Sequence, residues 1–196
     1  ISYALMFNEN KILLIKELDK LIKEINFLAK KYSNTPMLSR THGQKASPTT
    51  FGKEMKVFSS RLKKQMENID KRKIYAKMNG AVGNYNAHNF VLPNIKWDQE
   101  TKKFLKKIGL YQNEYTTQIE NHDWLAESLN DIIIISGILL DFSKDIWIYI
   151  MLDYIKQKNI ASEVGSSTMP HKVNPINFEN AEGNLEILIG ICQTVS

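Results

Sequence analysis

The sequence predicts an all-α protein, a bundle of long helices that is completed by oligomerisation. Three observations lead there. Proline and glycine are scarce, 5 and 9 in 196 residues, so long stretches carry no helix breaker. Apolar residues recur at helical spacing through several long segments. No alternating strand pattern of useful length is visible. Hydrophobic residues make up 43% of the chain, enough for one sizeable core, and length alone suggests a single domain.

The elements follow in order. Leu14, Leu18, Leu21, Ile25 and Leu28 lie on one helical face, with Lys16, Glu17, Lys20 and Glu24 elsewhere. This helix fades near Asn34-Thr35-Pro36, and Met37 to Ser47 reads as polar and irregular. A second helix is expected from near Pro48, a favoured first-turn residue. Its stripe is Phe51, Met55, Phe58, Leu62, Met66 and Ile69. Asn79 to Asn86 is a loop rich in Gly and Asn. A short helix follows from about Trp97 to Lys107, with Gly109 suited to its C-terminal cap.

A third long helix is expected from about Asp123 to Tyr154. Its middle, Asp131 to Asp141, is apolar on nearly every side, as in a helix buried among others. A chain this small scarcely surrounds such a helix, so helices of further copies are expected to cover it. Ile160 to Pro170 reads as a polar loop of small residues. Asn174 can cap a last helix and Pro175 can open it.

The net charge is +5, but the Lys are dispersed among Glu and Asp and no nucleic-acid motif is present. Solvated helix faces explain most of that charge, and an anionic small molecule is compatible with it. A single Cys, Cys192, rules out an internal disulfide and is consistent with a reducing, cytoplasmic setting. The longest apolar run, Ile132 to Leu140, is too short to span a bilayer. The chain starts without a basic leader or initiator Met and ends within a helical pattern. The expectation is a soluble piece of something longer.

Two polar loops carry the chemistry. One reads Gly165-Ser166-Ser167-Thr168-Met169-Pro170-His171-Lys172-Val173-Asn174-Pro175. It offers a permissive glycine, hydroxyls, a cation and an amide just before a helix N-terminus, where backbone N–H groups favour anions. The same residues could equally form a Ser/Gly linker and a helix cap. The other reads Ser39-Arg40-Thr41-His42-Gly43-Gln44, then Ala46 and Pro48.

The first of these closely resembles the signature of the fumarase/aspartase superfamily, and Thr-His-Gly-Gln before a long helix resembles its second motif. Four further segments narrow the resemblance to the bacterial branch of the adenylosuccinate lyases. They are Gly52-Lys53-Glu54-Met55, Asn79-Gly80-Ala81-Val82-Gly83-Asn84-Tyr85-Asn86-Ala87-His88, Tyr115-Thr116-Thr117-Gln118-Ile119-Glu120 and Phe178-Glu179-Asn180-Ala181-Glu182-Gly183-Asn184. These flanking segments argue against another superfamily lyase, such as argininosuccinate lyase or fumarase. His42, Ser166, Lys172 and Glu179 argue against a non-catalytic scaffold like the lens proteins of this fold. Lys45 departs from the family's usual Pro and replaces no reacting group.

The resemblance implies a fold, a reaction and a site. The chain, residues 1–196, would be most of a central helical domain, lacking the family's N-terminal and C-terminal domains. The reaction is elimination of fumarate from adenylosuccinate, giving AMP, and from the succinyl-carboxamide intermediate of purine synthesis. Ser166 would be the general base, with Ser167 left open because spacing cannot choose between adjacent hydroxyls. Lys172 and the nearby helix N-terminus would stabilise its alkoxide. His42 would be the general acid, and Glu179 its partner, orienting the ring and favouring its protonated form. Lys172 and Asn174 would bind the succinyl carboxylate on which charge develops. Thr41, Gln118 and Met169 would contact substrate, and His171 would stand behind Lys172. The family assembles as a homotetramer with active sites shared between subunits. His88 and His122 read as structural, no metal is implied because the His are scattered, and no cofactor is expected.

Overall fold

The computed structural model describes residues 1–157 and 173–196. The chain forms an all-α bundle with two minimal sheets at its margins. The Ile160–Pro170 loop, and with it most of the signature segment, lies outside the described residues.

Helix α1 (Ser2–Lys31) turns its predicted stripe inward, with Leu18, Ile22, Ile25 and Ala29 buried. Helix α2 (Phe51–Lys71) runs back against it, burying Met55, Phe58, Leu62 and Ile69. Contact at both ends shows the antiparallel course. The Gly52 amide donates to Tyr32 O at 3.0 Å, and Lys11 Nζ reaches Asp70 O and Arg72 O at 3.2 Å. Gly52 is required here: a Cβ would stand 2.4 Å from Ala29 O and 2.6 Å from the Ser33 backbone.

Between them, the segment expected to be irregular is a β-hairpin, β1 (Pro36–Thr41) against β2 (Gln44–Thr50). Its turn is His42-Gly43, with φ of 52° and 73°. Two central residues with positive φ make the primed turn that matches the twist of paired strands. The alternation that betrays a strand is missing because both faces of β2 are largely exposed. Pairing shifts from Arg40↔Lys45 to Leu38↔Pro48, which places one extra residue, a bulge, in β2 beside Ser39. Pro48 is therefore a strand residue, tolerated because a two-stranded ribbon is all edge. Helix α2 starts three residues later than Pro48 suggests, capped by Thr50, whose hydroxyl accepts from the Lys53 amide at 3.2 Å.

A smaller core gathers Ala4, Ile74, Ala76, Leu105, Leu110 and Trp124. Strands β3 (Tyr75–Ala76) and β4 (Tyr111–Gln112) pair in parallel there. Helix α3 (Asn86–Val91) is a short helix that begins at the end of the expected loop and was not anticipated, and α4 (Trp97–Lys107) matches its predicted span. Gly109, at φ 80°, ends α4 in a Schellman motif, with Leu110 N bonded to Leu105 O at 2.9 Å.

Helix α5 (Asp123–Met151) packs along α2, tied by Arg72 to Asp131 at 2.8 Å and Arg61 to Asp141 at 2.9 Å. It ends before Tyr154 because Asp153 takes φ 57° and Tyr154 N closes onto Tyr149 O at 2.9 Å. Helix α6 (Ile176–Val195) returns antiparallel to α5, with Lys144 of α5 near Glu182 and Glu186. Pro175 stands at its N-cap, one residue beyond the predicted cap Asn174, and Ile176 is the first helical residue.

Candidate active site

Thr41 and His42 stand exposed at the hairpin tip. The tip is braced by Arg40, a residue the motif reading passed over. Its Nη1 donates to Gly43 O at 2.9 Å and its Nε to the Tyr154 hydroxyl at 3.2 Å. One guanidinium thus joins the turn that presents the histidine to the chain just beyond α5. Nothing local in sequence signals a partner 114 residues away.

Asn174 and Glu179 sit at the start of α6, Glu179 in its first turn, where the helix dipole favours a carboxylate. Glu179 Oε1 accepts the Trp147 indole N–H of α5 at 3.2 Å. Gln118 is exposed on the segment between β4 and α5. That segment is held from both sides. Buried Glu120 accepts from Asn113 at 2.7 Å, the His122 amide at 2.8 Å and the Trp124 indole at 3.2 Å. Asn79, itself buried, exchanges side-chain hydrogen bonds with Thr116 at 2.9 and 3.1 Å.

Among the described residues, no hydrogen bond or ion pair joins His42, Gln118 and Glu179 to one another. Ser166, Ser167, Met169, His171 and Lys172 lie outside the described residues. An apolar cavity of about 590 Å³ opens at the hairpin base, lined among others by Tyr32, Met37, Phe51, Phe142 and Phe178. Among the described residues, none of Thr41, His42, Gln118, Asn174 or Glu179 lines it.

The two other histidines among the described residues stand apart from these positions. His88 packs edge-on against Tyr85 and Trp97, with ring centroids 5.6 and 5.0 Å away. His122 caps α5 in the left-handed region at φ 60°. Among the described residues no group of three His, Cys, Asp or Glu could hold a metal ion, and no helix is long and apolar enough to cross a membrane.

The chain is thus a helical bundle with a histidine on a hairpin tip and a carboxylate in the first turn of the last described helix. The profile of the family described as Lyase matches residues 2–190, and the chain belongs to that family. Among its relatives, the adenylosuccinate lyase of Haemophilus influenzae is 50% identical over 186 residues, covering 94% of this chain and 41% of that protein. The adenylosuccinate lyase of Legionella pneumophila (strain Corby) is 51% identical over the same coverage. The chain thus spans about two fifths of the length of the curated relatives it matches. The crystal structure of 3-carboxy-cis,cis-muconate lactonizing enzyme from Pseudomonas putida shares the fold, with a TM-score of 0.80 at 23% identity over 98% of this chain and 43% of that one.

Proposed function

We propose that the protein to which this chain belongs is a cytoplasmic adenylosuccinate lyase, and that residues 1–196 form most of its central helical domain. The observation that carries this reading is identity near 50% across 94% of the chain to proteins of that name. The exposed Thr41-His42 tip supports it, since a general acid must reach substrate.

The reaction is an elimination. Ser166 removes the proton from the carbon beside a succinyl carboxylate. The carbon–nitrogen bond then breaks, its electron pair moves to nitrogen, and His42 supplies the proton that nitrogen takes up. Fumarate leaves, with AMP from adenylosuccinate or with the free carboxamide from the succinyl-carboxamide intermediate. Lys172 and Asn174 hold the carboxylate on which charge builds. Thr41, Gln118 and Met169 contact substrate, and Glu179 serves His42.

The site is assembled from several subunits of a homotetramer. The open apolar face of α6 supports this reading: Ile187 is 64% exposed and Ile191 56%, and among the described residues Cys192 is the one buried residue on that helix. An exposed apolar face on a long helix is suited to packing against another helix.

The test is single-turnover fumarate formation by the full-length protein, beside Ser166→Ala and Ser167→Ala. Ser166→Ala should lose about 10²–10⁴ in rate, as for removal of a positioned base, with substrate binding retained. Ser167→Ala should cost less. A full-length protein that releases no fumarate from either substrate sinks the reading, and a dead Ser167→Ala beside an active Ser166→Ala moves the base by one residue.

A further inference from the structure

Lys77 follows β3 and points its ammonium into a cage of main-chain oxygens. Nζ donates to Gly80 O at 2.9 Å, Thr117 O at 2.8 Å and Gln118 O at 2.7 Å. An ammonium has three N–H donors, so every one is used. The bonds are charge-assisted, which makes them stronger than neutral ones.

The cage closes a junction that other contacts also build. The Asn79–Thr116 pair lies beside it, with Asn79 only 1% exposed. Gly83, at φ +83°, lets the backbone pass so close that a Cβ would meet Thr116 O at 1.9 Å. Two separate segments, 77–83 and 116–118, are therefore clasped, and the cation sits where their carbonyls converge. Without it, three carbonyl dipoles would face one another with no donor between them, and the Thr117–Gln118 backbone would turn outward to water.

We propose that Lys77 is a positioning residue: its ammonium fixes the Thr117–Gln118 backbone so that the exposed Gln118 side chain is presented to the substrate. The proposal rests on the reading of Gln118 as a substrate contact. Lys77 itself touches no reacting atom.

The experiment uses the full-length protein with Lys77→Ala, and with Lys77→Met should the alanine variant fail to fold. KM for adenylosuccinate should rise about tenfold, the scale of one lost hydrogen bond to substrate, with kcat little changed. Gln118→Ala should show a KM defect of the same size, and the double variant should be no worse than either. Ammonium or methylamine, small cations that fit a carbonyl cage, should restore KM in Lys77→Ala and leave Gln118→Ala unmoved. Amide exchange over residues 116–118 should speed up in the lysine variants. An unchanged KM with wild-type exchange overturns the proposal. So does a KM defect that small cations do not relieve and that adds in full to that of Gln118→Ala. A wild-type protein without lyase activity overturns the functional reading instead, and the exchange rates then judge the clasp by themselves.

Discussion

Trp147 of α5 donates its indole N–H to Glu179 of α6 at 3.2 Å, so the carboxylate proposed to serve His42 is steadied by the helix against which α6 packs. A general acid must be held in the right orientation to act, and a carboxylate partner holds the ring for that task. Glu179→Gln in the full-length enzyme should therefore lower kcat by about tenfold or more, and added to His42→Ala it should cost little further. Losses that add in full in the double variant would place Glu179 outside the partnership.

Asp145 carries a different pH signature. Burial pushes its carboxyl above the ordinary value, Asp141 and Glu54 add to the rise, and Arg61 opposes it. The folded state then binds the proton more tightly than the unfolded one. Stability falls as pH rises through the window between the two values, and the penalty is present in full above it. Asp145→Asn should raise Tm near neutral pH, and the gain should shrink in mildly acidic buffer. Paired melting curves at the two pH values check this, and a gain independent of pH contradicts it.

The shared core of α1, α2 and α5 sets the scale of ordinary packing. Leu62 is fully buried at its centre, so Leu62→Ala should cost about 2–5 kcal/mol. Lys64→Ala, on the exposed face of the same helix, should stay within about 0.5 kcal/mol. Urea unfolding of both variants makes the comparison, and equal losses would mean that the stripe is not the core.

What could be read from the sequence followed from periodicity. The stripes of α1 and α2 and the glycine that ends α4 are local patterns, and each of these elements forms as read. The hairpin was hidden because its exposed strands have no buried face to enforce alternation, and because Pro48 suits a helix start as well as a ribbon edge. The His-Gly pair was the available signal, since His is among the residues that tolerate positive φ. Arg40 and Lys77 escaped for another reason. Arg40 reaches Tyr154, and Lys77 reaches Thr117 and Gln118, partners brought near only by the finished fold. The site residues Thr41, His42, Gln118, Asn174 and Glu179 came from motif resemblance, and they stand on three separate stretches: the hairpin, the run between β4 and α5, and the start of α6.

That separation leads to the last prediction. His42 stands exposed on its turn, and among the described residues no carboxylate lies within ion-pair distance of it. If one site draws its histidine and its serine from different subunits, two dead proteins can make a live one. Full-length His42→Ala and Ser166→Ala chains should each be nearly inactive. Mixed in equal amounts and reassembled, a site receives an intact His42 half the time and an intact Ser166 half the time. Random assembly should then recover about a quarter of wild-type activity, as expected for a symmetric oligomer with independent draws. Native mass spectrometry confirms that mixed tetramers form. Mixed tetramers whose activity stays at the level of either variant would mean that both groups come from one chain, and the shared-site assembly would have to be abandoned.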